Sequence, residues 1–140
     1  MIIRTRWTYR LRVEGYSQLE FQRQPDDRMW LVGFDVTDGI RSRVFGINYP
    51  IDVFDRLADE MVRLVDETNL CHWLPVDPQG FDAVFDVDPQ SGRIRVVGNV
   101  VDGNQVRHPM FGAMYARADI AAAAEALKAE TVEALARSGG

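Results

Sequence analysis

Apolar and polar residues alternate along the first part of the chain. Thr5, Trp7, Tyr9, Leu11 and Val13 fall on one side of an extended backbone, and Arg4, Arg6, Thr8, Arg10 and Arg12 on the other. That two-residue period is the mark of a half-buried strand. Gly15 permits a turn, Leu19 and Phe21 begin a second strand, and Pro25-Asp26-Asp27 interrupts it. Trp30, Val32, Phe34 and Val36 then alternate with Leu31, Gly33 and Asp35. Asp38-Gly39 fits a two-residue type I′ hairpin turn, which needs positive φ at both central positions. The return strand is predicted from Ile40 to Ile47.

The period changes at Tyr49-Pro50. Phe54, Leu57, Ala58, Met61, Leu64, Val65 and Thr68 share one face at 100° per residue, and the charged residues from Asp52 to Glu67 take the other. This predicts a helix over about 50–68, with Pro50 in the first turn, where its missing N–H has no helical partner anyway. Period 2 returns in Cys71–Val76 and in Phe81, Ala83, Phe85 and Val87, separated by the turn Asp77-Pro78-Gln79-Gly80. After Asp88-Pro89-Gln90-Ser91-Gly92 a return strand carries Ile94, Val96 and Val100, with Arg93 and Arg95 placed to pair across with Asp86 and Asp82. Asp102-Gly103-Asn104 turns into a last strand over Gln105–Tyr115. A second helix is predicted over about 119–137, with Asp119 as N-cap and Ile120, Ala124, Leu127, Thr131 and Leu135 inward.

Hairpin-linked strands and segregated helices make this an α+β chain, an antiparallel sheet of about six to eight strands with two helices. Its 140 residues form one domain, 1–140, large enough for a core without staples, and 138–140 are expected to fray. One cysteine excludes an internal disulfide framework. The N-terminus has no unbroken apolar run of the kind a signal peptide or membrane span needs, so cytoplasmic residence is expected.

Charge is unevenly spread. Residues 1–50 carry eight arginines against six acids, residues 51–90 two against ten, and residues 91–140 six bases against five acids. The acidic middle disfavours nucleic acid and favours a basic partner. Arg4, Arg6, Arg10 and Arg12 could bind phosphates. Trp7 and Tyr9 point away from them, however, and a solvated face that discourages edge pairing fits better.

Candidate chemistry centres on Cys71, His72 and His108. A nucleophilic cysteine needs a base within hydrogen-bond reach. Neighbours on a strand face opposite ways, so Cys71 and His72 form no dyad, while one with His108 stays open. Cys71 and Trp73 are expected in the core as apolar groups, and His72 on the other face. His108, in step with Val106, Met110 and Met114, is expected partly buried on a backbone partner. One Cys and two distant His fall short of a structural zinc site, and no phosphate-binding loop is present. No catalytic residue, metal or cofactor is assigned. The remaining candidate is the charged face of the first helix: Asp52, Asp55, Asp59, Glu60, Asp66 and Glu67, interleaved with Arg56 and Arg63 in i,i+4 pairs.

The run GINYPIDVFDRLADEM followed by LPVDPQGFDAVFDVDPQSGRIRVVGNV carries a helix start, a Pro-Gly turn and an alternating hairpin. In this layout, from about Leu31 to Leu135, the chain resembles small bacterial immunity proteins that neutralise contact-dependent polymorphic toxins, including wall-associated repeat toxins. The resemblance implies inhibition by tight binding of a cognate protein toxin, without catalytic residues. The acidic middle would suit a basic, nuclease-like toxin. No membrane or nucleic-acid contact is expected, and the chain would be a monomer or weak homodimer. The alternative is a small enzyme or ligand-binding domain with a sheet–helix pocket involving Cys71, His72 or His108.

Overall fold

A computed structural model describes residues 6–13, 17–24, 27–67 and 71–138. Gly15, Pro25, Asp26, Thr68 and Leu70 lie outside these residues, as do Arg4, Thr5 and the last two glycines. The strands are β1 (Arg6–Val13), β2 (Ser17–Arg23), β3 (Arg28–Thr37) and β4 (Ile40–Pro50), followed by helix α1 (Ile51–Asp66). Then come β5 (Cys71–Leu74), β6 (Phe81–Val87), β7 (Ile94–Val101) and β8 (Arg107–Tyr115), followed by helix α2 (Arg117–Ser138). The strands form two separate antiparallel meanders, β1-β2-β3-β4 and β5-β6-β7-β8. The α+β expectation holds, with two four-stranded sheets. Asp38 and Gly39 both have positive φ, as the type I′ turn requires.

Each half of the chain is thus four strands and a helix, and the likeness extends to single positions. Gly33 on β3 pairs with Phe45 on β4, and Gly98 on β7 pairs with Phe111 on β8. The register slips immediately after each of these glycines. Four residues after each phenylalanine comes a buried tyrosine, Tyr49 or Tyr115, paired with Met29 or Ile94.

The halves are crossed through those pairs. A Cβ on Gly33 would stand 2.6 Å from the Phe111 ring, and one on Gly98 would stand 2.6 Å from the Phe45 ring. Each phenylalanine lies on the glycine of the other half, and the two rings stack with centroids 6.5 Å apart. Neither glycine has positive φ. What these positions require is the absence of a side chain.

Inward faces follow from this crossing. In β3 it is Met29, Leu31 and Gly33 that enter the core, leaving Trp30 and Phe34 on the outer face. Helix α1 buries Ile51, Phe54, Leu57, Ala58, Met61 and Leu64, the predicted stripe, but it begins one residue later, with Pro50 as N-cap. Helix α2 begins before Asp119, which lies in its first turn. Its buried line is Ile120, Ala123, Ala124, Leu127, Thr131 and Ala134, while Leu135 is more than a third exposed. A 3.6-residue period carries the line to 134, and the expected four-residue steps overshoot it. Arg117 joins the layers by donating to the carbonyls of Leu64 and Val65 at the end of α1 and to Gly92 in the β6–β7 turn.

Replacing Gly98 by alanine should cost about 1–3 kcal/mol of unfolding free energy, the range for overpacking a filled site. Gly112→Ala is the control, because nothing lies within 4 Å of its added methyl; it should stay within about 0.5 kcal/mol of the parent. Urea denaturation reads both, and a Gly98→Ala curve superimposed on the parent would contradict the crossing.

Candidate functional site

The charged face of α1 divides into three parts. Asp52 meets Arg56 at 3.7 Å and Glu67 meets Arg63 at 3.5 Å, as their i,i+4 spacing predicts. Glu60 pairs with Arg63 at i,i+3, at 3.0 Å. Asp55 and Asp59, expected to face solvent with their neighbours, turn toward α2. The Asp55 carboxylate accepts from the Thr131 hydroxyl at 2.8 Å, and Lys128 reaches Asp55 at 3.0 Å and Asp59 at 3.1 Å. Partial burial opposes the charge on Asp55, but Thr131 and Lys128 outweigh it and hold the carboxyl below its ordinary range. Asp66 is exposed at the last position of the helix.

Beside Asp59 the two helices leave an apolar groove of about 520 Å³. Alanines 58, 121, 124 and 129 line it, with Val62 and Val132 on its flanks and Asp59, Glu125 and Lys128 along its rim. Sequence periodicity gives no sign of it. Helix α2 carries alanine on nearly every side, so its pattern marks no second apolar face.

The three residues with potential catalytic chemistry do not converge: Cys71 and His72 face opposite sides of β5, and His108 lies on another strand. The register pairs His72 with Phe85 and Leu74 with Ala83, so His72 and Leu74 share the inward side of β6. Cys71 and Trp73, expected in the core, pair with Asp86 and Val84 and face out. Cys71 is exposed and Trp73 is 53% exposed. Burial and the Asp86 carboxylate raise the thiol's pKa, which disfavours a thiolate. Partial burial lowers the pKa of His72 despite Glu60 at 4.0 Å, which favours the neutral ring. His72 and Trp73 line a shallow 230 Å³ pocket against α1.

His108, expected partly buried on a backbone partner, meets a side chain instead. It is exposed, and its Nε2 is 2.8 Å from a carboxylate oxygen of Asp102, which that contact and two backbone N–H groups hold below the usual carboxylate range. β5 and β8 are opposite edges of one sheet. Three strand spacings, about 14 Å, separate those edges, and the register sets Cys71 level with Met114 but His108 level with Phe81, so the two are farther apart still and form no dyad. Among the described residues no group of His, Cys, Asp or Glu is placed to hold a metal ion.

The arginine face of β1 is described only at Arg10, since Arg4 and the side chains of Arg6 and Arg12 lie outside the described residues. Arg10 is not solvated. It pairs at 2.9 Å with Glu20, which is 1% exposed and also held by Arg41 at 2.7 Å and Gln22 at 2.8 Å. Arg41 in turn lies over the Phe34 ring. In the other half Arg107 lies over Trp73 and pairs with Asp82, another 1% exposed carboxylate, which Asn99 also contacts. From its spacing Asp82 was expected to meet an arginine of the return strand. That strand supplies only Arg95, whose partner is Asp86.

A polar cleft of about 290 Å³ lies where the halves meet, lined by Gln24, Arg28, Trp30, Asn48 and Asp77–Gln79. Asp77, read from sequence only as a turn residue, is buried and accepts from the backbone N–H of Asn48, Gln79 and Phe81. No family model matches the chain, and no curated protein matches it in sequence. No helix among the described residues is long and apolar enough to cross a membrane.

An outward Cys71 has a direct consequence for thiol chemistry. A disulfide reagent such as DTNB should label one thiol per chain without denaturant, more slowly at pH 7 than free cysteine because the thiolate fraction is low. Labelling that begins only in urea would return Cys71 to the core.

Proposed function

We propose that the protein is a non-catalytic binding protein, an immunity protein that neutralises a cognate protein toxin by tight association in the cytoplasm. The observation that carries this reading is the charge of the helical layer. α1 and α2 together hold nine acids against five bases, a net −4 of the chain's −5. That charge lies on two adjacent helices, while the carboxylates of the sheets at Glu20, Asp82 and Asp86 are matched by arginines. A net-negative layer steers a basic partner and raises its association rate. Asp52, Glu60, Asp66 and Glu67 would supply the outer rim of the contact, and Asp55 and Asp59 the side nearer α2. A basic, nuclease-like toxin is the partner this charge fits.

The separation of Cys71, His72 and His108 supports binding over catalysis. A ligand-binding domain remains the second reading. Its best pocket is the cleft of Arg28, Trp30 and Asn48, where an aromatic wall and several amide groups converge.

Co-expression with the toxin domain encoded beside its gene should restore growth and yield a stable complex. Reversing Asp52, Glu60, Asp66 and Glu67 to lysine should slow association roughly tenfold or more at low salt. Neither rescue nor complex with the unaltered protein would sink this reading.

A further inference from the structure

We infer that the groove between α1 and α2 receives a basic amphipathic helix of the partner protein, an inference that rests on the binding reading and narrows it to one surface and one kind of segment. The floor is built for close approach. Ala58 and Ala124 are almost fully buried, and with Ala121 they present methyl groups where longer side chains would close the gap. Val62 and Val132 stand half exposed on the flanks, at 50% and 52%. These are branched apolar side chains whose burial would favour association. Along α2 the lining runs from Ala121 to Val132, a rise of about 16 Å, the length of three helical turns. On the α1 side the lining covers one turn, Ala58 to Val62, and a third helix laid along α2 across that turn can be read by one apolar stripe.

Charge selects the occupant. Among the described residues Lys128 is the one base on the rim, and it is already shared by Asp55 and Asp59. Glu125, exposed on the same rim, has no ion pair among the described residues. Asp59 and Glu125 on the rim, with Asp55 just beyond it, therefore set three carboxylates against one ammonium. A helix with small or branched apolar residues on one face and Lys or Arg beside them would match both floor and rim. A second copy of this chain would not, because a two-fold contact through the groove sets Asp59 and Glu125 against the same acids of the partner.

The test uses two synthetic peptides of about 18 residues. Both have an Ala/Val stripe; one carries Arg and Lys on its polar face, the other Glu at the same positions. Each is titrated into the full chain, followed by amide chemical shifts. The basic peptide should shift residues of the groove, and Val62→Arg with Val132→Arg should weaken it roughly tenfold or more. Both valines are surface positions, so the double variant should keep the parental unfolding curve, which is checked alongside. Equal binding of the acidic peptide, shifts confined to residues away from α1 and α2, or undiminished binding by the double variant would each overturn the inference. So would a dimer in sedimentation that the double variant dissolves, since a second copy would then fill the groove. Toxin rescue is scored separately. Rescue that survives Val62→Arg/Val132→Arg overturns the groove and leaves the binding reading intact.

Discussion

Two aromatic rings lying on two glycines set the geometry on which the rest depends. A four-stranded meander with one apolar face must bury that face against another layer, and each half of this chain is such a meander with a helix. The halves join by exchanging a ring for a vacancy: Phe45 covers Gly98, and Phe111 covers Gly33. β4 is thereby held against β6, β7 and β8. One continuous core follows, running from Leu11 through Phe45 and Phe111 to the buried stripes of both helices. Tyr49 and Tyr115 sit at matching places in it, each with a hydroxyl that lacks a hydrogen-bond partner among the described residues. Burial raises both phenols well above their ordinary pKa. Satisfied polar groups are the rule in protein interiors, so these two positions mark where packing has prevailed over hydrogen bonding.

The distribution of charge follows from the same arrangement. The outer faces of the sheets carry paired charge. Glu20 lies between Arg10 and Arg41, and Asp82 between Arg107 and Asn99, with Phe34 and Trp73 under the guanidinium groups. A buried carboxylate that lost its arginine would face the full desolvation penalty, so these clusters are bound to the fold rather than free for a partner. The helices differ. Their ion pairs are mostly exposed and weak, and acids outnumber bases. The surface with charge to spare is also the surface with an apolar groove.

Much of the fold is legible in the sequence, and the limits have physical causes. The α1 stripe, the Asp38-Gly39 turn and the β6–β7 hairpin follow from local periodicity and turn chemistry. Faces are harder to read. Cys71 and Trp73 look like core residues by type, but a strand of four residues takes its orientation from the neighbour it pairs with. β6 puts Phe85 and Ala83 inward, and so turns His72 and Leu74 inward with them. The partners of Glu20, Asp77 and Asp82 are set by tertiary contacts that no local spacing encodes. Gly33 and Gly98 read as weak points in strands until the opposing ring is known. The split into two sheets is likewise invisible to periodicity, since both sheets use the same hairpins. Of the candidate site, the acidic face of α1 was legible because its period is helical. The groove was not, because it needs two helices side by side.

A double-mutant cycle between Phe45 and Gly98 tests the crossing of the halves most directly. Gly98→Ala, Phe45→Ala and the double variant are compared by urea unfolding with the parent. If the ring lies on the glycine, the added methyl clashes only while Phe45 is present. The alanine at 98 should then cost markedly less in the Phe45→Ala background, with a coupling of about 1 kcal/mol or more. Additive effects, within about 0.5 kcal/mol, would mean that the two residues do not touch and that the halves are joined in some other way.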